Sequence, residues 1–432
     1  MKHPILNAGM MTLLLLLLGC SASEQPAPEQ PAPEVPVELV TGPGWWKLTR
    51  SIETDDTLTA EQREEVERLA SLGYVSGSSA PQTDDIITVH DRERSWTGLN
   101  LYNSGHAPEA FLADMEGNVI HRWSYRFADV WPEAPVDEVP RNMRDWWRRV
   151  FLLENGELLA IFEGAGVIKL DRDSNLLWAW KIGAHHDLEV LPDGRTVVLA
   201  RRVGILPSVH PTEPTLEDVV LVLDESGQVL QQVSLLKSFE REGFSFQATL
   251  SEDHFADIFH TNTIEVLDGR IADRVPEFAA GNVLVSMRLL DRIAVVDLDQ
   301  ERVVWTKTGS FKKQHDPKIL ANGNLLLFDN NGRGEQSAVQ EYDPATMELV
   351  WEYRGTAENP FYSEWCGTAQ RLPNGNTLIT ESDYGRAFEV TPDGEIVWEF
   401  FNPHRAGEQG QYIANLLELV RLPPDFPVDW TN

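Results

Sequence analysis

Two cysteines in 432 residues exclude a good deal. Cys20 falls inside what reads as an export signal, so Cys366 stands alone. Neither an intrachain disulfide framework nor a cysteine-rich metal site can form. Basic residues are also scarce, with 36 Lys and Arg against 68 Asp and Glu, a formal net charge of −32. That field repels phosphate backbones and excludes nucleic acid as a partner. An anionic ligand would need a local cluster of donors to overcome it. Long apolar runs are missing too. The longest, Met10 to Leu18, falls short of the roughly 20 residues a membrane-spanning helix takes. No His-x-His or His-x3-His pair of the kind that grips zinc occurs, and the expected site contains no metal and no cofactor.

What is present begins at the N-terminus. Lys2 and His3 precede the apolar run, and Leu17-Leu18-Gly19-Cys20 resembles the bacterial lipoprotein signal. The resemblance implies cleavage after residue 19, lipidation of Cys20, and an exported protein anchored in the cell envelope and facing the periplasm. Which membrane holds it stays open. Residues 20–57 follow as a Pro- and Glu-rich tether (EQPAPEQPAPEVPVE), extended by proline spacing and self-repulsion. Residues 58–84 hold one short helix and a linker. Thr59 and Gln62 pair as a capping box, Val66 and Leu69 share a face, and Gly73 supplies the stop.

Residues 85–432 read differently. At 42% hydrophobic over its length, the chain has enough apolar residues for a large core. From about Gly98 the apolar runs are short and alternate with Asp-, Asn- and Gly-rich turns. Residues 151–180 show four such runs, as expected of one four-stranded antiparallel sheet. A two-strand unit recurs six times, at 111–123, 168–180, 221–233, 294–305, 340–351 and 388–398, often ending in Trp. That recurrence predicts an all-β, six-bladed propeller with Trp178, Trp180, Trp305, Trp351 and Trp398 between blades. Ile413 to Leu422 is the candidate closing strand beside the first blade.

The chemistry is carried by a position. His186, Asn262, His315 and Gly367 each stand five residues before the leucine of a Leu-turn-Gly hairpin, and Val150 is a weaker fifth case at a shorter offset. If the strands radiate from an axis, these residues line one mouth. His185, Asp187, His260 and Asp316 lie beside them, and Arg288 ends the run NVLVSM. A His-Asp pair at a strand start is also a common local turn, so each histidine taken singly has a structural explanation. Taken together with an arginine, they form a site for a tetrahedral anion, since Arg supplies a planar fork of donors and a histidine nitrogen is a competent nucleophile.

The stretches HHD…LPDGR, HTNTIEVL…GNVLVSMR, QHDPKIL.NGN and TESDYGRAFEVTPDGEIVWEF resemble the bacterial arylsulfate sulfotransferase family, from about Gly98 to the C-terminus. The resemblance implies a six-bladed propeller that moves a sulfuryl group from an aryl sulfate donor to a phenolic acceptor, without a nucleotide sulfate donor, through a sulfated histidine. By position it implies His315 as nucleophile, Arg288 and His260 on the sulfate, Asn262 as a substrate-binding group, and His185 or His186 as the remaining channel histidine; the His-Asp alignment favours His186 as the catalytic one, with His185 beside it as a substrate-binding group. The lone Cys366 departs from members that carry a disulfide. The alternative from another class is a non-catalytic envelope propeller that binds protein or carbohydrate, consistent with the acidic surface and tether. A quinone-dependent dehydrogenase ranks below both, because a histidine-lined anion site has no role there. The oligomeric state is not legible.

Overall fold

The computed structural model describes residues 76–431 apart from 135, 137, 138, 246–256, 333 and 335. The signal, the tether and the Thr59–Leu72 helix lie outside the described residues. Among the described residues no helix is long and apolar enough to cross a membrane.

Six four-stranded antiparallel sheets follow one another along the chain. Blade 1 takes Leu99–Ser104, Glu109–Ala113 and Val119–Ser124, and its innermost strand is Leu416–Leu422 from the other end of the sequence. Blade 2 starts at Arg149–Leu152 and Leu158–Phe162, blade 3 at Ala184–Val190 and Thr196–Ile205, and blade 4 at Thr261–Val266 and Val283–Met287. Blade 5 starts at His315–Ile319 and Leu325–Asp329, and blade 6 at Thr368–Arg371 and Thr377–Glu381. Ile87–His90 adds a fifth strand to the outer edge of blade 6, against Ile396–Phe401. Leu416–Leu422 pairs with Leu99–Ser104 over its length. Both ends of the described chain therefore seal the junction of the last and first blades, a closure that leaves the blades with short outer edges.

The local reasons are visible in each hairpin. Gly194 and Gly323 sit at φ +88° and +84°, where a Cβ is disfavoured, and make the turn between first and second strands. Apolar side chains of neighbouring blades pack together, as Leu159, Ile161 and Val167 of blade 2 do against Leu188, Val198 and Leu221 of blade 3. The expected tryptophans lie at these seams. Trp398 is buried outright, while Trp178, Trp180, Trp305 and Trp351 are half-buried at the rim. Three of the indole N–H groups clip blade to blade. Trp180 donates to Ser226 O at 2.9 Å, Trp351 to Pro392 O at 2.8 Å and Trp398 to Met115 O at 3.0 Å.

The innermost strands are tied together by side chains. Asp187 accepts from Ile264 N at 3.0 Å and Asp316 from Ala369 N at 3.0 Å. One layer further along, Glu189 accepts from Val266 N at 2.6 Å and Glu265 from Ile319 N at 2.8 Å. Each bond crosses to the next blade. Arg149 lies between Asp187 and Glu418, and Lys318 donates to Ile264 O at 3.2 Å. The axis beneath the mouth is thus a closed, polar, hydrogen-bonded plug.

Candidate active site

In each hairpin the first strand begins, and the second ends, at the same end of the ring. Two positions per blade therefore converge on one mouth. The first is the residue five before the hairpin leucine. In blades 3 to 6 these are His186, Asn262, His315 and Gly367, as the sequence indicated. In blade 2 the hairpin leucine is Leu153, which puts Arg148, not Val150, in the matched place. Val150 is instead buried in the apolar core between blades 1 and 2. The second position lies seven residues after the hairpin glycine. Gly156, Gly194, Gly281, Gly323 and Gly375 point to Glu163, Arg201, Arg288, Asn330 and Ser382. All are buried.

The backbone at the mouth is irregular. His186, His260 and Asp316 hold φ of 56°, 48° and 51°, a left-handed conformation costing about 1–3 kcal/mol each for a side-chain-bearing residue. The ladders shift register at the same places, between Thr261 and Thr263 and between His315 and Lys318. Such bulges re-aim side chains at strand ends. In blade 6 the matched residue is glycine because a Cβ there would meet the Phe328 ring at 2.4 Å.

His315 is held as a single tautomer. Asn330 Nδ2 donates to Ser363 O at 2.8 Å and Cys366 O at 2.9 Å, which fixes its amide so that Oδ1 faces His315 Nδ1 at 2.7 Å. The other group near Nδ1 is Lys313 O at 3.0 Å, also an acceptor. The proton must therefore sit on Nδ1, and Nε2 carries the lone pair. Nε2 is buried without a protein partner. Burial first, then the charges of Arg288 and Arg148, hold the imidazole well below its ordinary pKa, so it is neutral at pH 7.

Beside it, His260 lies between blade 4 and a carboxylate. Its Nδ1 meets Asp257 Oδ2 at 2.7 Å and its backbone N–H donates to Asp257 Oδ1 at 3.0 Å. Burial alone would raise the Asp257 carboxyl, but His260 and Arg201 hold it well below the ordinary range. Arg288 follows directly, its backbone N–H donating to His260 O at 3.3 Å. Its guanidinium lies over the Trp365 ring at 5.1 Å, Nη2 reaches Glu364 O at 3.5 Å, and Nε is buried without a partner. A donor and a lone pair left unsatisfied in one buried mouth call for a ligand.

His186 and His185 form the third part. The His186 ring stands edge-on to His260 at 4.9 Å. Its Nδ1 lies 2.8 Å from His185 Nδ1 and 3.2 Å from Glu163 Oε1. His185 Nε2 lies 3.4 Å from Asp218 Oδ1, close enough to pair but not aligned as a full hydrogen bond. Burial, then nearby arginines, push both imidazoles well below their ordinary pKa. His185 is therefore enclosed by protein groups. Asn262 is also committed: its Nδ2 donates to Gln314 O at 2.8 Å, next to His315.

Glu163, His185 and His186 are the ligand-type residues that come within 4.8 Å of one another among the described residues. The 2.8 Å Nδ1–Nδ1 contact is one hydrogen bond. Two nitrogens on tetrahedral zinc, each at about 2.0–2.1 Å, would stand roughly 3.3 Å apart. Arg201 Nη1 already lies 3.7 Å from Glu163 Oε1. The trio reads as a hydrogen-bonded chain and not as a cation cage.

The structure thus gathers His186, His260, Arg288 and His315 at one mouth and sets His185 and Asn262 behind them. Sequence reasoning passed over Arg148, Glu163, Arg201, Asp218, Asp257 and Asn330. Four of these were legible, since Arg148 shares the position of His186 and His315, and Glu163, Arg201 and Asn330 share that of Arg288. Asp218 and Asp257 had no such mark.

The fold is thus a six-bladed propeller with arginine and histidine side chains buried at one mouth. The arylsulfotransferase (ASST) family model matches residues 149–403, more than half of the chain, and the chain belongs to that family. No curated protein matches it significantly. Among solved structures, a protein of unknown function from Bacteroides caccae is 15% identical, over 70% of this chain and 93% of that one, with a TM-score of 0.46. A streptogramin B lyase is 11% identical over 81% of this chain and 97% of that one, with a TM-score of 0.43. Likenesses this distant carry nothing about the chemistry.

Proposed function

We propose that the chain transfers a sulfuryl group from an aryl sulfate to a phenol, without a nucleotide donor, through a sulfated His315. The observation that carries this reading is His315 Nε2: neutral, lone pair outward, buried, and fixed by Asn330 in the field of Arg288. In the first half-reaction Nε2 attacks sulfur as the S–O bond to the aryl group breaks. In the second, a phenol oxygen attacks the sulfur carried on Nε2, an O–S bond forms, and the N–S bond breaks with its electron pair returning to Nε2. Sulfuryl transfer, like phosphoryl transfer, passes through a loose transition state with charge on the peripheral oxygens, so positioning and electrostatics carry most of the rate. Arg288 and His260 hold those oxygens, with Arg148 adding positive charge to the same mouth. Asn262 acts from behind, fixing the Gln314 carbonyl beside His315. His186 exchanges the phenol proton. The protein works at the cell envelope, held by a lipid on Cys20, with an aryl sulfate and a phenol as its small-molecule partners.

The test is to mix the purified protein with a chromogenic aryl sulfate alone, quench, and measure peptide masses. One added SO3 on the His315 peptide, discharged by a phenol, is expected. Steady phenol release with no sulfated peptide, unchanged in His315→Ala, would remove His315 as the carrier.

A further inference from the structure

The proposed transfer needs a proton delivered to the departing phenolate in one half-reaction and removed from the incoming phenol in the other. His186 cannot do either alone. Its ring is buried near Arg148, Arg201 and His260, so an imidazolium there is disfavoured. A neutral imidazole that gives up the proton at Nε2 must receive one at Nδ1 in the same motion. Nδ1 is 2.8 Å from His185 Nδ1, and the opposite nitrogen of His185 faces Asp218 at 3.4 Å.

The tautomers follow from the neighbours. With Asp218 ionised, His186 Nδ1–H points to His185 Nδ1 and to Glu163 Oε1, and His185 Nε2–H points to Asp218. The reverse polarity would turn two lone pairs toward two carboxylates, unless Asp218 carries the proton. The groups facing the pair are Glu163 from blade 2, Arg201 and Asp218 from blade 3, and Asp257 with His260 at the start of blade 4.

We propose that Asp218, His185 and His186 form a two-way proton wire for sulfuryl transfer, with His185 as a positioning and relay residue that never touches substrate; this rests on the transfer reading above. With the proton on Asp218, Asp218 O–H gives to His185 Nε2, His185 Nδ1–H gives to His186 Nδ1, and His186 Nε2–H gives to the phenolate as its S–O bond breaks. In the second half-reaction the phenol O–H passes to His186 Nε2 and every link shifts back, returning the proton to Asp218. No proton is gained from or lost to solvent over the cycle, and neither imidazole is ever charged.

Two variants test it in the full-length protein. His185→Gln keeps a donor toward Asp218 but cannot relay. In single-turnover sulfation of His315, which isolates the first half-reaction, it should slow donors with strongly basic phenol leaving groups by about 100-fold, the range of general acid catalysis. Donors with acidic phenols, which depart unprotonated, should slow by less than about threefold. Equal losses for both classes would mean a merely structural role and overturn the wire. The second readout needs no turnover. Thr261 N donates to Asp218 Oδ2 at 2.7 Å, so in Asp218→Asn the amide oxygen takes that place and the NH2 faces His185. With 15N-labelled histidine, NMR of this variant should show the tautomers of the proton-loaded wire, His185 Nδ1–H and His186 Nε2–H. His185 Nε2–H or His186 Nδ1–H in Asp218→Asn overturns the wire. Absence of transfer from any aryl sulfate in the unaltered protein would instead sink the transfer reading, and the tautomers of Asp218→Asn would still decide the wire.

Discussion

Two layers of the same axis, one residue apart, are built on opposite principles. In the upper layer His315 Nε2 and Arg288 Nε end in the mouth without protein partners. In the lower layer Asp187 and Asp316 each accept a backbone N–H from the next blade, and Glu189 and Glu265 repeat the clasp one layer further along. The His-Asp pairs span both layers. His186 and His315 face the mouth, while Asp187 and Asp316 clasp the neighbouring strand. The choice between a catalytic pair and a local structural turn therefore divides within each dipeptide. The histidine belongs to the site and the aspartate to the fold, because a bulge with positive φ at His186 or Asp316 turns adjacent side chains to different tasks.

Substitutions should separate the layers. The largest effect belongs to His315→Ala, which is expected to reduce transfer by more than about 10³-fold while costing stability only about 1–2 kcal/mol, for the hydrogen bond lost by Asn330. Chromogenic turnover and urea melts on one preparation check both halves. Arg288→Ala should lower kcat/KM by about 10²–10³-fold, as the loss of one oxyanion donor does. Arg288→Lys should recover only part of this, because a point charge does not replace the planar fork. If Lys restored full activity, the fork would have no role.

The lower layer should answer in stability instead. Asp187→Ala removes the clasp on Ile264 and half of the pairing of Arg149, leaving a buried cation under-compensated. A loss of about 3 kcal/mol is expected in equilibrium denaturation. The smallest effect is a pH slope. Burial pushes Glu265 and Glu418 up to about 7, above the ordinary 4.5. A carboxyl whose folded pKa is raised binds protons more readily in the folded state. Its stabilisation is full below pH 4.5 and is lost as pH rises to about 7. Melts from pH 4.5 to 8 should show this fall, and Glu265→Gln should flatten it. An unchanged slope would remove Glu265 as a contributor.

Much of this molecule was legible in one dimension. The hairpin repeat gave the blades, and the position five residues before each leucine gave His186 and His315. The same rule, kept in strict register, reaches Arg148, which a shift of two residues hid behind Val150. Arg288 was legible as the residue that ends NVLVSM; its place seven residues after a turn glycine, shared by Glu163, Arg201 and Asn330, is a pattern the sequence also holds. Asp218 and Asp257 were not legible at all. Asp218 is a strand residue in an apolar run, and Asp257 follows a long inter-blade insertion. Only the folded ring brings them to His185 and His260.

Sequence alone determined the turn spacing, and with it the blades and the residue types delivered to one end of the ring, because a strand's period and a glycine's freedom at positive φ are local properties. The tertiary structure alone decided which nitrogen of each histidine carries a proton, since that depends on partners such as Asn330, Glu163 and Asp218 contributed by other strands. Hydrogen-bond direction is set by what lies across a gap of a few ångströms, and nothing in the order of residues along the chain records it.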